Sequence, residues 1–108
     1  MSKPKIQILD IVGRIKPKTG EDFISKTLEG VVDQIGMTRV GTLVVSRQPA
    51  HTHYMQLLRE SHIAAHVHPD GATVISIVSC KYFSEKQALD YIADNLEISI
   101  ITTHSYKS

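Results

Sequence analysis

The chain has 108 residues, 42% of them hydrophobic and 21% charged; this composition excludes a disordered chain, and the length leaves room for one domain, residues 1–108. Twelve basic and eleven acidic residues give a net charge of +1, so neither nucleic acid nor an acidic membrane is expected as a partner. A single cysteine, Cys80, and the lack of an apolar run typical of a signal peptide or membrane span lead us to expect a cytoplasmic protein.

The first half of the chain predicts a strand, a helix and a second strand. Residues 5–13 are rich in isoleucine and partly alternating, as in a half-buried strand. Thr19 and Asp22 have the spacing of a helix capping box, and Gly36 has the position of a helix stop. Between them lies one apolar helical stripe, formed by Ile24, Leu28, Val31 and Ile35. Residues 40–46 are apolar and rich in β-branched side chains, which predicts the second strand.

The last third of the chain predicts a turn, a strand, a helix and a closing strand. Residues 68–71, His-Pro-Asp-Gly, form the turn, and residues 73–80 are an apolar strand. Ser84 and Gln87 form a second capping box, and residues 98–103 are β-branched. The helix between them has an apolar face that consists of Ala88, Tyr91, Ile92 and Leu96.

Residues 53–66 fit two structures. They contain good helix formers, yet they could also form the arm of a β-hairpin that leads into the turn at residues 68–71. Periodicity does not choose between these alternatives. In either case we expect an α/β protein of the α+β type, a two-layer sandwich of a mainly antiparallel sheet with two helices on one face. That arrangement buries both apolar helix stripes.

The same segment contains residues that could carry chemistry. Glu60, Ser61 and His66 are followed by Pro69 and by a strand that ends in Cys80. This pattern resembles the prokaryotic S-adenosylmethionine decarboxylases, which carry a Glu-Ser-His-x-Ser-x-His-x-Trp-Pro-Glu segment and then a strand ending in a catalytic cysteine. The resemblance extends more weakly over nearly the whole chain, including its length and the closing helix and strand.

The resemblance implies that the chain cleaves itself after Glu60 into chains of residues 1–60 and 61–108. The Ser61 hydroxyl would attack the carbonyl of Glu60 and convert the amide into an ester. Elimination and hydrolysis would then leave a pyruvoyl group at position 61 as the cofactor. His66 matches the histidine that the family uses in this processing, and an imidazole suits proton transfer near neutral pH.

Catalysis and assembly also follow from the resemblance. The substrate amine would form a Schiff base with the pyruvoyl group, and Cys80 matches the cysteine that returns a proton after carbon dioxide leaves. S-adenosylmethionine is the leading substrate, which implies a place in spermidine synthesis, and ornithine or arginine is the alternative. An unprocessed homologue that binds a ligand, a metal or a partner subunit is a third hypothesis. Family members of this length imply a homodimer with sites shared across its interface.

Several positions depart from the family pattern and mark candidate substrate-binding residues. Arg47 stands where a phenylalanine usually stacks on adenine, and His53 stands where a serine lies near the pyruvoyl group. His68 replaces a tryptophan, and Asp70 replaces a glutamate. Ala64 replaces the second serine or threonine of the segment, and the turn before Cys80 is one residue shorter. We therefore expect substrate recognition to differ more than the reaction.

Five of the six histidines lie within residues 51–68. If the end of this stretch forms a strand, three imidazoles share one face and could bind zinc, those of His62, His66 and His68. The same alternation puts Ser61 on the opposite face, so self-processing needs a bend in the chain just before it. The spacing of these histidines is looser than that of a typical metal site, and no metal site is assigned.

Overall fold

Six strands and two helices follow one another in the computed structural model, which describes residues 5–59 and 61–108. In chain order the elements are β1 (Gln7–Arg14), α1 (Glu21–Gln34), β2 (Arg39–Arg47), β3 (Thr52–Leu58), β4 (Ser61–Val67), β5 (Ala72–Ser79), α2 (Glu85–Leu96) and β6 (Ser99–Lys107). The strands form one sheet in the order β2-β3-β4-β5-β1-β6, and each neighbouring pair is antiparallel. The predicted α+β sandwich is confirmed. No helix in the described residues is long and apolar enough to cross a membrane.

The ambiguous middle of the chain is a β-hairpin, made of β3 and β4. Leu58 pairs with Ser61, so only two residues separate the strands. Burial alternates along β3, where Tyr54 is buried and its neighbour Met55 is exposed. In an α-helix, which has 3.6 residues per turn, successive residues do not alternate strictly between buried and exposed. In a strand they do, and β3 follows this period of two. These residues have good helix propensity, but pairing with strands on both sides makes the segment a β-hairpin.

The hydrophobic core lies between the two helices and one face of the sheet. The helices bury the predicted stripes except for Tyr91, which is partly buried, and the sheet contributes alternate residues of its central strands. The largest of these side chains are fully buried, namely Leu9, Ile11, Ile24, Leu28, Ile63, Ile75, Ile77 and Ile92. Burying each one stabilises the fold by about 1.5–3 kcal/mol. The opposite face of the sheet has no covering layer among the described residues.

The two predicted capping boxes have different outcomes. Ser84 Oγ accepts a hydrogen bond from the Gln87 N–H at 3.1 Å, which confirms the cap of α2. The box of Thr19 and Asp22 is wrong, because α1 begins without a side-chain cap. Thr19 Oγ1 instead donates to the carbonyl of Lys16 at 2.6 Å, so the loop before the helix uses that hydroxyl.

The turn between β4 and β5 depends on Gly71. Its φ of +94° lies in a region that L side chains rarely adopt. A Cβ at this position would lie 2.1 Å from the backbone oxygen of Ile15, because the two backbones are in direct contact. The Gly71 N–H donates to the His68 carbonyl at 2.9 Å, and the Gly71 carbonyl accepts from the Ile15 N–H at 2.9 Å. The predicted turn is present, and it also anchors the end of β1.

Substitution of Gly71 is expected to destabilise this turn. Gly71→Ala is expected to lower the free energy of unfolding by more than about 2 kcal/mol, because left-handed strain adds to a backbone clash. Urea denaturation measures the change. Gly20→Ala is the matched control, since Gly20 has a φ of −68° and open space at the Cβ position. Equal stability of the two variants would contradict the described turn.

Candidate functional site

Ser61 and Cys80 lie together at one end of the sheet. Ser61 begins β4 and pairs with Leu58 on one side and with Ser79 on the other. Its Oγ accepts a hydrogen bond from the backbone N–H of Cys80 at 3.2 Å. Ser61 is half-buried, and the Cys80 side chain is exposed. The structure thus brings together two of the predicted catalytic residues; Glu60, on the other side of the predicted cleavage site, lies outside the described residues.

Two buried polar side chains hold the segment that contains Cys80. Ser79 Oγ donates to the Lys81 carbonyl at 2.5 Å and accepts from the Lys81 N–H at 3.0 Å. Gln7 is fully buried; its Oε1 accepts from the Phe83 N–H at 2.8 Å, and its Nε2 donates to the Phe83 carbonyl at 3.1 Å. These bonds fix the backbone on the C-terminal side of Cys80. Neither residue is predicted from the sequence. Gln7 contacts Phe83, 76 positions away, which no local pattern reveals, and Ser79 contacts Lys81 through a short turn that has no distinctive motif.

A cavity of about 390 Å³ opens beside Ser61. Its described lining comes from the end of α1, the β3–β4 hairpin and the segment after β5, and consists of Met37, Thr38, Leu58, Arg59, Ser61 and Lys81. Two of these residues are cations and none is a carboxylate. The cavity can therefore receive a small molecule with a negative charge next to the serine.

His66 lies far from Ser61 within one chain. Both residues are on β4, five positions apart, which corresponds to about 16 Å along a strand. Because side chains alternate, an odd separation also places them on opposite faces of the sheet. Ser61 is on the face that the helices cover, and His66 is exposed on the open face. The sequence analysis expected this opposition if the segment were a strand, and the structure confirms it.

His66 belongs to a cluster of four imidazoles at the other end of the sheet. His53 lies directly opposite it on β3, with ring centroids 4.0 Å apart and nearly parallel planes. His51 stacks on His53 at 4.3 Å and lies 5.5 Å from the ring of His68. His53 Nε2 is buried and has no hydrogen-bond partner among the described residues. His62, which the sequence grouped with His66 and His68, is not part of this stack.

The histidine cluster does not form a metal site in the arrangement described. Across residues 5–59 and 61–108, no three His, Cys, Asp or Glu side chains are placed to hold a metal ion. Stacked imidazoles turn their ring faces toward each other, whereas a metal needs ring nitrogens that converge on one point. Face-to-face stacking is the interaction that this arrangement supports.

Arg47 is held by an acidic partner on α1. Its Nε donates to one carboxylate oxygen of Glu21 at 2.7 Å, and its terminal nitrogen donates to the other at 2.5 Å. The hydrogen bonds that Arg47 donates to Glu21, and then the charge of Glu21, raise the pKa of the Arg47 guanidinium. Arg47 pairs with Thr52 at the end of the sheet opposite to Ser61. Its guanidinium is already paired with Glu21. Its predicted contact with substrate remains a prediction.

Asp70 is a turn residue in this structure. Its Oδ1 accepts from the Ala72 N–H at 3.0 Å, and its Oδ2 lies 3.4 Å from Arg14. The hydrogen bond from Ala72, and to a lesser extent Arg14, lowers the pKa of the Asp70 carboxyl below its usual range. Asp70 and His68 flank the same turn, away from Ser61.

Comparison with known proteins places the chain among similar sequences and folds. A family profile described as S-adenosylmethionine decarboxylase matches residues 8–108. The crystal structure of the adenosylmethionine decarboxylase from Aquifex aeolicus superposes with a TM-score of 0.72 and 19% sequence identity, covering 100% of this chain and 91% of that chain. At that identity the superposition shows the shared fold. No curated protein sequence matches the chain.

The lowered pKa of Asp70 predicts a pH dependence. A carboxyl whose folded pKa lies below its unfolded value of about 3.9 stabilises the fold above that pH, and the effect is lost as the pH falls through the folded pKa. Asp70→Asn keeps an acceptor for Ala72 but removes the charge. We expect it to be less stable than the parent at pH 7, with a difference that shrinks as the pH falls from about 5.

Urea denaturation at a series of pH values measures this difference. Asp94→Asn is the control, because the Asp94 side chain is exposed and makes no ion pair or hydrogen bond within the described part of the chain. A difference for Asp70→Asn that stays constant between pH 7 and pH 3 would show that the charge is irrelevant to stability.

Proposed function

Because the chain belongs to the S-adenosylmethionine decarboxylase family, we propose that it is a pyruvoyl-dependent decarboxylase that forms its cofactor by cleaving the bond between Glu60 and Ser61. The products are chains of residues 1–60 and 61–108. The observation that carries this proposal is the position of Ser61 at the tip of a hairpin, bonded to the backbone of Cys80 and open to a cavity.

The residues present fit a pyruvoyl group at position 61. Ser61 supplies its three carbons, and the neighbouring cavity has room for a small substrate. The bond from the Cys80 N–H restricts the rotamer of the Ser61 hydroxyl before processing. When formed, the group supplies a carbonyl that binds the substrate amine and accepts the electrons left by carbon dioxide.

The cleavage begins with the attack of Ser61 Oγ on the carbonyl carbon of Glu60. The bond between that carbon and the Ser61 nitrogen breaks as the ester bond forms, and the hydroxyl proton passes to the released amine. A base must then remove the Ser61 α proton, and the Glu60 carboxylate leaves by β-elimination. The dehydroalanine that remains takes up water and releases ammonia to give the pyruvoyl group. An imidazole is suited to removing the α proton near neutral pH, and His66 is the family match.

His66 of the same chain is about 16 Å away, so we propose that the base comes from a second copy. The open face of the sheet supports a homodimer, because it exposes large apolar side chains: Val40, Val44, Met55, Leu57 and Tyr106. Val44 is 61% exposed and Leu57 56% exposed, which is unfavourable in an isolated chain. Two such faces pack well as a sandwich of sheets.

The symmetry of that dimer brings the two halves of the site together. A two-fold axis that lies between the sheets and across the strands reverses the strand direction of one copy relative to the other. The end with His53 and His66 then lies beside the end of its partner that contains Ser61 and Cys80. Because the Ser61 side chain lies on the helix-covered face, the partner's imidazole must reach it around the end of β4. Each dimer has two such sites.

Cys80 is the proposed proton donor to the substrate carbon. Its exposed side chain directly follows β5, the strand whose last residue, Ser79, pairs with Ser61, and a thiol is a suitable general acid. This role needs a reduced thiol, which supports a cytoplasmic location. S-adenosylmethionine is the first substrate to test, as the precursor of the aminopropyl donor in spermidine synthesis, and ornithine or arginine is the second.

Denaturing electrophoresis and intact mass test the cleavage. The parent chain is expected to give two fragments, and Ser61→Ala is expected to give one intact chain, because alanine has no hydroxyl to attack the peptide bond. Ser99→Ala is the control and should be cleaved like the parent. An intact parent chain would contradict the proposal and favour the unprocessed homologue, and cleavage of Ser61→Ala would show that another residue attacks.

Complementation between chains tests the shared site. Ser61→Ala and His66→Ala, each with its own tag, are expected to remain intact when produced separately. When they are produced together, the His66→Ala chain should be cleaved, because its Ser61 meets the intact His66 of its partner. His104→Ala replaces His66→Ala as the control and should be cleaved alone. A His66→Ala chain that remains intact in the mixture would contradict the shared site.

A further inference from the structure

Two cations line the cavity beside Ser61, and the described lining contains no carboxylate. Arg59 is two residues before Ser61 in the hairpin, and Lys81 directly follows Cys80. They come from different parts of the chain and line the same cavity. The acidic side chains of the neighbouring α1 terminus, Glu29 and Asp33, pair elsewhere with Arg39.

The backbones of both cations are fixed. The Arg59 N–H donates to the carbonyl of Thr38 at 3.1 Å, and the Lys81 N–H donates to Ser79 Oγ at 3.0 Å. Lys81 Nζ donates to the carbonyl of Gly36 at 3.0 Å, which uses one of its three protons. The Arg59 side chain has no hydrogen bond or ion pair to another described residue.

We infer that Arg59 and Lys81 bind the α-carboxylate of the substrate, the group that leaves as carbon dioxide. This inference rests on the proposed function. The substrate amine reacts at position 61, so its α-carboxylate lies within a few bonds of that position and inside the same cavity. A guanidinium and an ammonium are the strongest hydrogen-bond donors to a carboxylate that a protein offers.

Decarboxylation determines how this contact affects the KM and the kcat. The carboxylate loses its negative charge as the bond to the α carbon breaks, so the cations stabilise the bound substrate more than the transition state. They therefore lower the KM without raising kcat. The amine product has lost the carboxylate and is no longer held, which favours its release.

Kinetics of the cleaved enzyme test the inference. Arg59→Gln and Lys81→Gln are each expected to raise the KM roughly tenfold, with kcat unchanged or higher, because each removes one charge-assisted contact. Inhibition by the decarboxylated product should change less than twofold. Lys86→Gln is the matched control, since Lys86 pairs with Asp90 on the exposed side of α2. An unchanged KM, or a fall in kcat alone, would overturn the inference.

A binding measurement separates this inference from the proposed function. In a Ser61→Ala background no cofactor forms, and calorimetry can follow S-adenosylmethionine and its decarboxylated product directly. We expect the substrate to bind at least tenfold more tightly than the product, and Arg59→Gln with Lys81→Gln to remove that preference. Equal binding of the two ligands, or no binding of either, would overturn the inference even if the parent chain is cleaved. Failure of cleavage alone would overturn the proposed function.

Discussion

The period-two alternation of one antiparallel sheet with a single covered face governs the rest of the molecule. Each central strand turns one set of side chains toward the helices and the other set toward the open face. On β4 this rule puts Ser61 and His66 on opposite faces and at opposite ends. The core of the fold requires that register, since a shift of one residue would expose Ile63 and bury His62 and His66. The register that buries the core therefore also separates Ser61 from His66.

The two ends of the sheet have different chemistry as a result. One end has the hairpin with Ser61, the exposed Cys80 and two cations beside a cavity. The other has the stacked imidazoles, including the buried Nε2 of His53 that lacks a partner in the described chain. An unpartnered buried nitrogen is costly, and a partner chain that covers the open face could supply its hydrogen bond. Each end of a single chain thus contains part of a site. In the proposed dimer, the apolar open faces of two chains pack together and bring the two parts into one site.

Much of the fold follows from local patterns in the sequence. The stripes of α1 and α2 and the β-branched runs predict six of the eight elements, because each pattern depends only on neighbours along the chain. The hairpin of β3 and β4 is not decided locally, since its residues favour a helix by propensity and become strands through pairing with β2 and β5. The failed capping box has a different, local cause, because the Thr19 hydroxyl bonds to the Lys16 carbonyl within its own loop.

The candidate site divides in the same way. Ser61, His66 and Cys80 are found through a family pattern, which depends on order along the chain. Arg59 and Lys81 become meaningful only when the hairpin and the end of β5 meet at one cavity. The pairing of Arg47 with Glu21 joins a strand end to a helix start and has no local signal. Contacts of this kind are long-range, and they account for what the sequence analysis missed.

The central claim is that each site is built from two chains, and disulfide trapping tests it most directly. The native chain has one cysteine, so His66→Cys introduces a single possible partner for Cys80. Position 66 pairs with Val74, about 20 Å along β5 from Cys80, so the bond cannot form within one chain. The account predicts covalent dimers under mild oxidation, visible without reductant and abolished by adding Cys80→Ala. A chain that remains monomeric under these conditions would contradict it.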